Sequence, residues 1–166
     1  VLNSVDLTKD VDGLARNSPF TPATPTAIDW LLAGHNVDLQ HKKIVIVGKG
    51  PLVGAPLTKL YKAAGYNLSI VDRDTKDAQQ IISGAEVLIS AAGQPGLITS
   101  DMVQPSTVII DAGTTSAGGK MQGDVAPEVL DRSDVTTTPK KGGVGPLTVC
   151  ALFENILIAA EKSASS

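Results

Sequence analysis

Lys43-Ile44-Val45-Ile46-Val47-Gly48-Lys49-Gly50-Pro51-Leu52-Val53-Gly54 runs from a β-branched apolar stretch directly into a glycine-rich turn. An unbroken Ile/Val run suits a strand buried on both faces, as in a parallel sheet covered by helices. The period then changes: Leu52, Leu57, Leu60, Tyr61 and Ala64 recur near helical spacing and Gly65 follows as a stop, so a helix is predicted over 52–64. Similar apolar runs at 67–71, 86–90 and 107–111 predict three more strands, and a fifth is expected at 135–138. A short helix over 75–83, closed by Gly84, fits between the second and third strands. Strands alternating with helices through short links imply right-handed crossovers and a doubly wound parallel sheet with helices on both faces.

The rest of the chain supports one compact α/β unit. Its 166 residues fall within the size of a single domain, and 42% hydrophobic residues suffice for a core. Aromatic residues are only 3%, so that core must be built of Val, Ile, Leu and Ala. Ahead of the sheet, a helix over 24–33 is predicted with Thr24 as N-cap and Pro25 in its first turn. A last helix over 148–162 presents Val149, Leu152, Phe153, Ile156 and Leu157 on one face, and the serine-rich end at 163–166 is expected to be disordered.

Composition also narrows function. The net charge is −3 and no basic stripe is present, which argues against a nucleic-acid partner. A single cysteine, Cys150, excludes an intrachain disulfide and a cysteine-cluster metal site, and suits a reducing compartment. No uninterrupted apolar run approaches the ~20 residues of a membrane helix, so a cytoplasmic protein without membrane association is expected.

Gly48, Gly50 and Gly54 give a G-x-G-x-x-x-G spacing between strand and helix. Such a turn lets a pyrophosphate approach the helix N-terminus, whose N–H groups favour an anion, as in Rossmann-like dinucleotide sites. A side chain at Gly50 or Gly54 is expected to obstruct that approach. Taken alone, the spacing also fits a tight turn without ligand. Asp72, ending the second strand, stands where a carboxylate binds an adenosine ribose and would favour NAD. Arg73 beside it and Lys49 in the loop could instead pair with a 2′-phosphate, so NADP is the expected cofactor and NAD the alternative. An ordinary solvated turn at 72–74 is the remaining reading of these charges.

Asp10-Val11-Asp12-Gly13, Thr24-Pro25, Val53-Gly54-Ala55-Pro56, Asp111-Ala112-Gly113 and Gly142-Gly143-Val144-Gly145-Pro146-Leu147-Thr148 follow one another in this order. In that series the chain resembles the bifunctional methylenetetrahydrofolate dehydrogenase/cyclohydrolase family over nearly its whole length. The resemblance implies an NAD(P)-binding domain at 25–162, preceded at 1–24 by a linker and entry segment from an N-terminal catalytic domain. It implies cofactor contacts from Gly48, Lys49, Gly50, Gly54, Asp72, Arg73, Thr114 and Thr148, with Thr114 near the nicotinamide half. It also implies folate contacts from Asp12 and Gly143, a tetrahydrofolate derivative as substrate, and a homodimer for the intact protein. A carboxylate at Asp12 suits a pterin edge, which presents several N–H donors.

The family's chemistry is oxidation of 5,10-methylenetetrahydrofolate followed by hydrolysis to 10-formyltetrahydrofolate, and it uses a Tyr-x-x-x-Lys pair in a preceding domain. Tyr61 and Tyr66 are followed four residues on by Gly65 and Ile70, so this chain holds no such pair and no catalytic residue is assigned. Lys49-Gly50 stand where the family commonly has Arg-Ser, Pro139-Lys140-Lys141-Gly142-Gly143 where it has Pro-Val-Pro-Gly-Gly, and the stretch between Gly13 and Phe20 is short for the family. Another NAD(P)-dependent dehydrogenase sharing the fold, or a binding module without chemistry, are the competing functions.

The remaining candidates have plainer readings. His35 and His41 lack ligand-spaced partners and read as surface residues, so no metal is expected. Cys150 reads as a small buried hydrophobe. Lys140 and Lys141 could attract a carboxylate tail but suit a solvated turn better, and Asp111 fits a loop cap better than a ligand contact.

Overall fold

The computed structural model describes residues 4–117, 120–139 and 141–164. Five strands, β1 (Ile44–Val47), β2 (Leu68–Val71), β3 (Val87–Ser90), β4 (Val108–Asp111) and the short β7 (Thr136–Thr137), form one sheet in the order β2-β1-β3-β4-β7. Every pairing is parallel, with Ile44 opposite Leu68 and Val87, and Val87 opposite Val108. An antiparallel pair that the sequence reading did not foresee, β5 (Thr115–Ala117) with β6 (Lys120–Gln122), lies outside this sheet.

Alternation along β1 shows why the strand is apolar throughout. Ile44 and Ile46 pack with α1 (Ala23–Gly34) and α2 (Gly54–Ala63), through Ile28, Leu32, Leu57 and Tyr61. Val45 and Val47 face the other way, toward Ile82 of α3 (Ala78–Ser83) and Val129 of α4 (Pro127–Leu130). Both sheet faces are therefore covered, as expected of a parallel sheet. The last helix, α5 (Val144–Ala164), packs along α1, and its Val144 joins the first of these clusters.

Several element bounds differ from expectation for identifiable reasons. Thr24 is not an N-cap: α1 starts at Ala23 behind Pro22, and Pro25 lies within the first turn, where a backbone N–H has no helical acceptor to lose. Leu52 is 58% exposed in the turn before α2, because the helix begins only at Gly54. α3 is shorter than predicted. Thr75 is held by Asp72, giving its hydroxyl to Asp72 Oδ1 at 2.7 Å and accepting the Asp72 N–H at 2.9 Å, and Asp77 adopts a left-handed φ of 57°.

α5 begins at Val144 rather than near Thr148, so the Gly-Pro-Leu-Thr segment forms its opening turns, and it continues through Ala164; residues 165–166 of the expected tail lie outside the described residues. At 21 residues it is long and apolar enough to cross a membrane by length and composition alone, although polar residues such as Thr148, Glu154 and Asn155 interrupt its apolar run. Here it is packed on α1, and its buried Asn155 donates to the carbonyls of Val11 and Thr21 at 2.8 and 2.9 Å. Cys150 is exposed, contrary to the buried reading, because the helix turns Ala151 and Asn155 inward.

Candidate functional site

The C-terminal ends of β1, β2 and β3 open onto a cavity of about 560 Å³, the position at which open α/β sheets bind ligands. Its first wall is the turn after β1, with Gly48, Lys49 and Gly50 facing the cavity. Two glycines here are required by the backbone. Gly48 has a φ of 105°, and a Cβ on it would strike the Ala91 carbonyl. A Cβ on Gly54 would strike the carbonyl of Gly48, so the first turn of α2 rests directly on the loop. The obstruction expected from a side chain at Gly54 is thus with the protein rather than with a ligand. Gly50 differs, since a Cβ there meets no protein atom within 4 Å. Open space over the loop, beside the start of α2, fits a pyrophosphate lying across glycine backbone.

Asp72 and Arg73 form the second wall. Lys49 reaches across the loop and its Nζ pairs with Asp72 Oδ2. Asp72 Oδ1 accepts the Thr75 hydroxyl at 2.7 Å and the Asp74 N–H at 3.2 Å. The Lys49 ammonium, followed by the Thr75 hydroxyl, holds the Asp72 carboxyl down at about 2. Both oxygens of Asp72 are thereby engaged, and Arg73 stands exposed next to it.

Ala91, Ala92 and Gln94, following β3, make the third wall, and a residue absent from the sequence reading holds it. Asp124 is fully buried. Its Oδ2 accepts the Ser90 hydroxyl at 2.7 Å and the N–H groups of Ala92 and Gly93 at 2.8 and 3.3 Å, while Oδ1 accepts the Gln94 N–H at 2.7 Å. Asp111 in turn accepts from the N–H groups of Gly113, Asp124 and Val125 at 3.0–3.1 Å, so it caps a loop as expected. Burial, with a smaller push from the Asp124 charge, raises the Asp111 carboxyl above its ordinary range despite these donors. The available signal was the Gly123-Asp124 pair ahead of apolar Val125 and Ala126, a charge entering an apolar run.

The other candidates lie apart from this cavity. Gly54 sits behind the loop, Thr114 is exposed beyond β4, and the Thr148 hydroxyl donates back to the Val144 carbonyl at 3.1 Å within α5. Gly143 is buried, where a Cβ would come within 3.1 Å of the Pro139 carbonyl. Asp12 is exposed at the tip of a turn built by its neighbours: buried Asp10 accepts the Ala15 N–H at 2.9 Å, and Gly13 takes a φ of 68°. His35 and His41 are both exposed, His41 pairing with Asp38 at 2.9 Å. Lys141 is exposed, and Lys140 lies outside the described residues.

The family described as tetrahydrofolate dehydrogenase/cyclohydrolase, NAD(P)-binding domain, matches residues 22–164. Among curated relatives, the bifunctional protein FolD of Fusobacterium nucleatum is 40% identical over 167 residues, 95% of this chain and 59% of that protein. The bifunctional FolD of Campylobacter jejuni superposes with a TM-score of 0.88 at 35% identity, covering 98% of this chain and 61% of its own. A Trypanosoma brucei FolD complexed with NADP cofactor and inhibitor gives 0.88 at 30% identity, covering 99% and 62%. The chain spans about three fifths of the length of the curated relatives it matches.

Proposed function

This chain belongs to the tetrahydrofolate dehydrogenase/cyclohydrolase family as its NAD(P)-binding domain, and from that premise we propose that it captures NADP over the Gly48–Gly54 turn for folate one-carbon chemistry. The observation that carries this reading is the open space over Gly50, flanked by a Lys49–Asp72 pair and an exposed Arg73. With both Asp72 oxygens engaged and its charge matched by Lys49, the carboxylate neither offers a free acceptor to a ribose diol nor strongly opposes a phosphate. Arg73 then supplies the cation for the 2′-phosphate, and NAD, lacking that group, binds more weakly. The bound nicotinamide would supply the hydride acceptor.

In the intact protein this domain serves oxidation of 5,10-methylenetetrahydrofolate and hydrolysis of the methenyl product to 10-formyltetrahydrofolate. Exposed Asp12 supports the folate role assigned to it, since a carboxylate at a turn tip can meet a pterin edge. Thr114 and Gly143 are assigned to the nicotinamide and folate sides. Residues 1–24 are the entry from a catalytic domain that carries the Tyr-x-x-x-Lys pair, and the intact protein acts as a cytoplasmic homodimer. The outward face of α5, where Phe153 and Leu157 are 60% and 63% exposed, is the surface that this further domain covers.

Calorimetric titration of the purified chain tests the reading. Saturable heat with NADP, and at least several-fold weaker binding of NAD, is expected. No heat with either dinucleotide at millimolar concentration, on protein shown to be folded by circular dichroism, would remove the proposal.

A further inference from the structure

We propose that Asp124 is a positioning residue for dinucleotide capture, setting the Ala91–Gln94 wall through its buried carboxylate without itself touching the ligand; this rests on the dinucleotide reading of the cavity. Three observations converge on it. The carboxylate is fully buried, and the four donors it accepts belong to β3 and the turn following it. Three successive backbone N–H groups, of Ala92, Gly93 and Gln94, therefore point away from the cavity toward Asp124, and the turn's path over the site follows from where that carboxylate lies. The carboxylate is also closely packed: a Cβ on Gly113 would strike the Asp124 carboxylate, and one on Gly123 would strike that of Asp111. Asp111 fixes the backbone of Asp124 by accepting its N–H at 3.0 Å.

The wall also meets the glycine loop. The Ala91 carbonyl approaches Gly48 so closely that a Cβ there would strike it, so this turn packs against the first glycine of the loop as well as lining the cavity. From the other side, the Thr115 hydroxyl donates to the Gly93 carbonyl at 2.8 Å. Asp124 therefore holds a turn that itself borders the glycine loop. Neutral Asn at this position keeps the shape but turns an N–H₂ group toward backbone donors, which it cannot accept.

The test compares the wild-type chain with Asp124→Asn and Ser90→Ala, at low temperature where circular dichroism shows each to be folded. NADP and 2′-phospho-ADP-ribose, which lacks the nicotinamide, are titrated calorimetrically, and amide hydrogen exchange is followed at Ala92, Gly93 and Gln94. For Asp124→Asn, both ligands are expected to bind at least tenfold more weakly, with exchange accelerated at these three amides. The effect should be graded: Ser90→Ala removes one donor and keeps the carboxylate, so about threefold weakening is expected. A residue that only stabilises the fold would lower the melting temperature while leaving the affinity of folded protein unchanged, and that result would overturn the proposal. If Asp124→Asn does not fold, Ser90→Ala decides, wild-type affinity and exchange counting against the proposal. Absence of wild-type binding, with slow exchange at the three amides, would instead remove the dinucleotide reading and the positioning role with it.

Discussion

At the residue scale, the glycine loop contains two kinds of glycine that one spacing motif does not distinguish. Gly54 is excluded from carrying a side chain by the Gly48 carbonyl, whereas Gly50 opens into unoccupied space. Gly54→Ala is therefore expected to lower the melting temperature and abolish NADP binding together. Gly50→Val should leave the melting temperature within a few degrees and still weaken NADP at least tenfold, a contrast that calorimetry and thermal denaturation resolve. The charges beside the loop make a second prediction. Arg73→Ala should weaken NADP about tenfold and leave NAD nearly unchanged, since a charge-assisted hydrogen bond contributes ~1.5–3 kcal/mol and an exposed one lies at the low end. Asp72 titrates at about 2 because Lys49 and Thr75 favour its ionised form. A depressed carboxylate pKa stabilises the fold above the ordinary carboxylate range, and that contribution is lost as pH falls toward 2. Lys49→Met should move the Asp72 titration up toward 3.8, observable in its side-chain carboxyl NMR signal.

α5 is the element whose role changed most between sequence and structure. Its residues Val149, Leu152, Phe153, Ile156 and Leu157 read as one apolar face, yet the buried residues of the helix include Ala151 and Asn155, and Val149, Phe153, Ile156 and Leu157 are exposed. Small residues allow the close approach of two helices, and the polar Asn155 is accommodated because its amide meets two carbonyls of the preceding segment. Asn155→Ala should cost about 1–2 kcal/mol by denaturant unfolding, since the two hydrogen bonds that tie a buried amide to the part-buried carbonyls of Val11 and Thr21 are lost. Hydrogen exchange should show the loss concentrated at residues 10–22, where Val11 and Thr21 are tied down. An acid-sensitive element lies in the same segment. Burial pushes the Asp10 carboxyl up, but the N–H of Ala15 with its neighbours outweighs that and leaves it below 3.8. Its contribution to stability is therefore present above that range and lost as the pH falls through its lowered pKa.

For the whole molecule, the outward apolar face of α5 and the absence of a Tyr-x-x-x-Lys pair lead to one prediction about activity. The 166-residue chain is expected to bind NADP yet show negligible methylenetetrahydrofolate dehydrogenase and methenyltetrahydrofolate cyclohydrolase activity, while a chain extended at its N-terminus to the length of the relatives shows both. Hydride transfer requires the one-carbon unit to be held against the nicotinamide, and positioning of this kind can contribute up to about 7–11 kcal/mol. Robust turnover by the shorter chain would contradict the assignment. Replacing Phe153 and Leu157 together by Ser should leave its melting temperature nearly unchanged, because neither side chain is buried here, and should impair the extended protein.

Local sequence determined the parallel sheet, its helical cover and the glycine turn, because period and residue type are local signals: a short β-branched run closed by glycine suits a strand buried on both sides, and Gly48 fits a φ of 105°. The wall residues Gly48, Lys49, Gly50, Asp72 and Arg73 were legible for the same reason, since they sit at the ends of consecutive strands. Long-range contacts lay beyond that kind of reading. Asp124 meets Ser90 across 34 positions and Asn155 meets Val11 across 144, so neither partnership leaves a periodic trace. The same limit explains Cys150 and the α5 face, whose apolar stripe is visible in sequence although its direction is set by which side α1 can approach. Tertiary structure alone decided that Lys49 spends its charge on Asp72 and that a buried carboxylate holds the far wall, because both depend on distances the chain acquires only when folded.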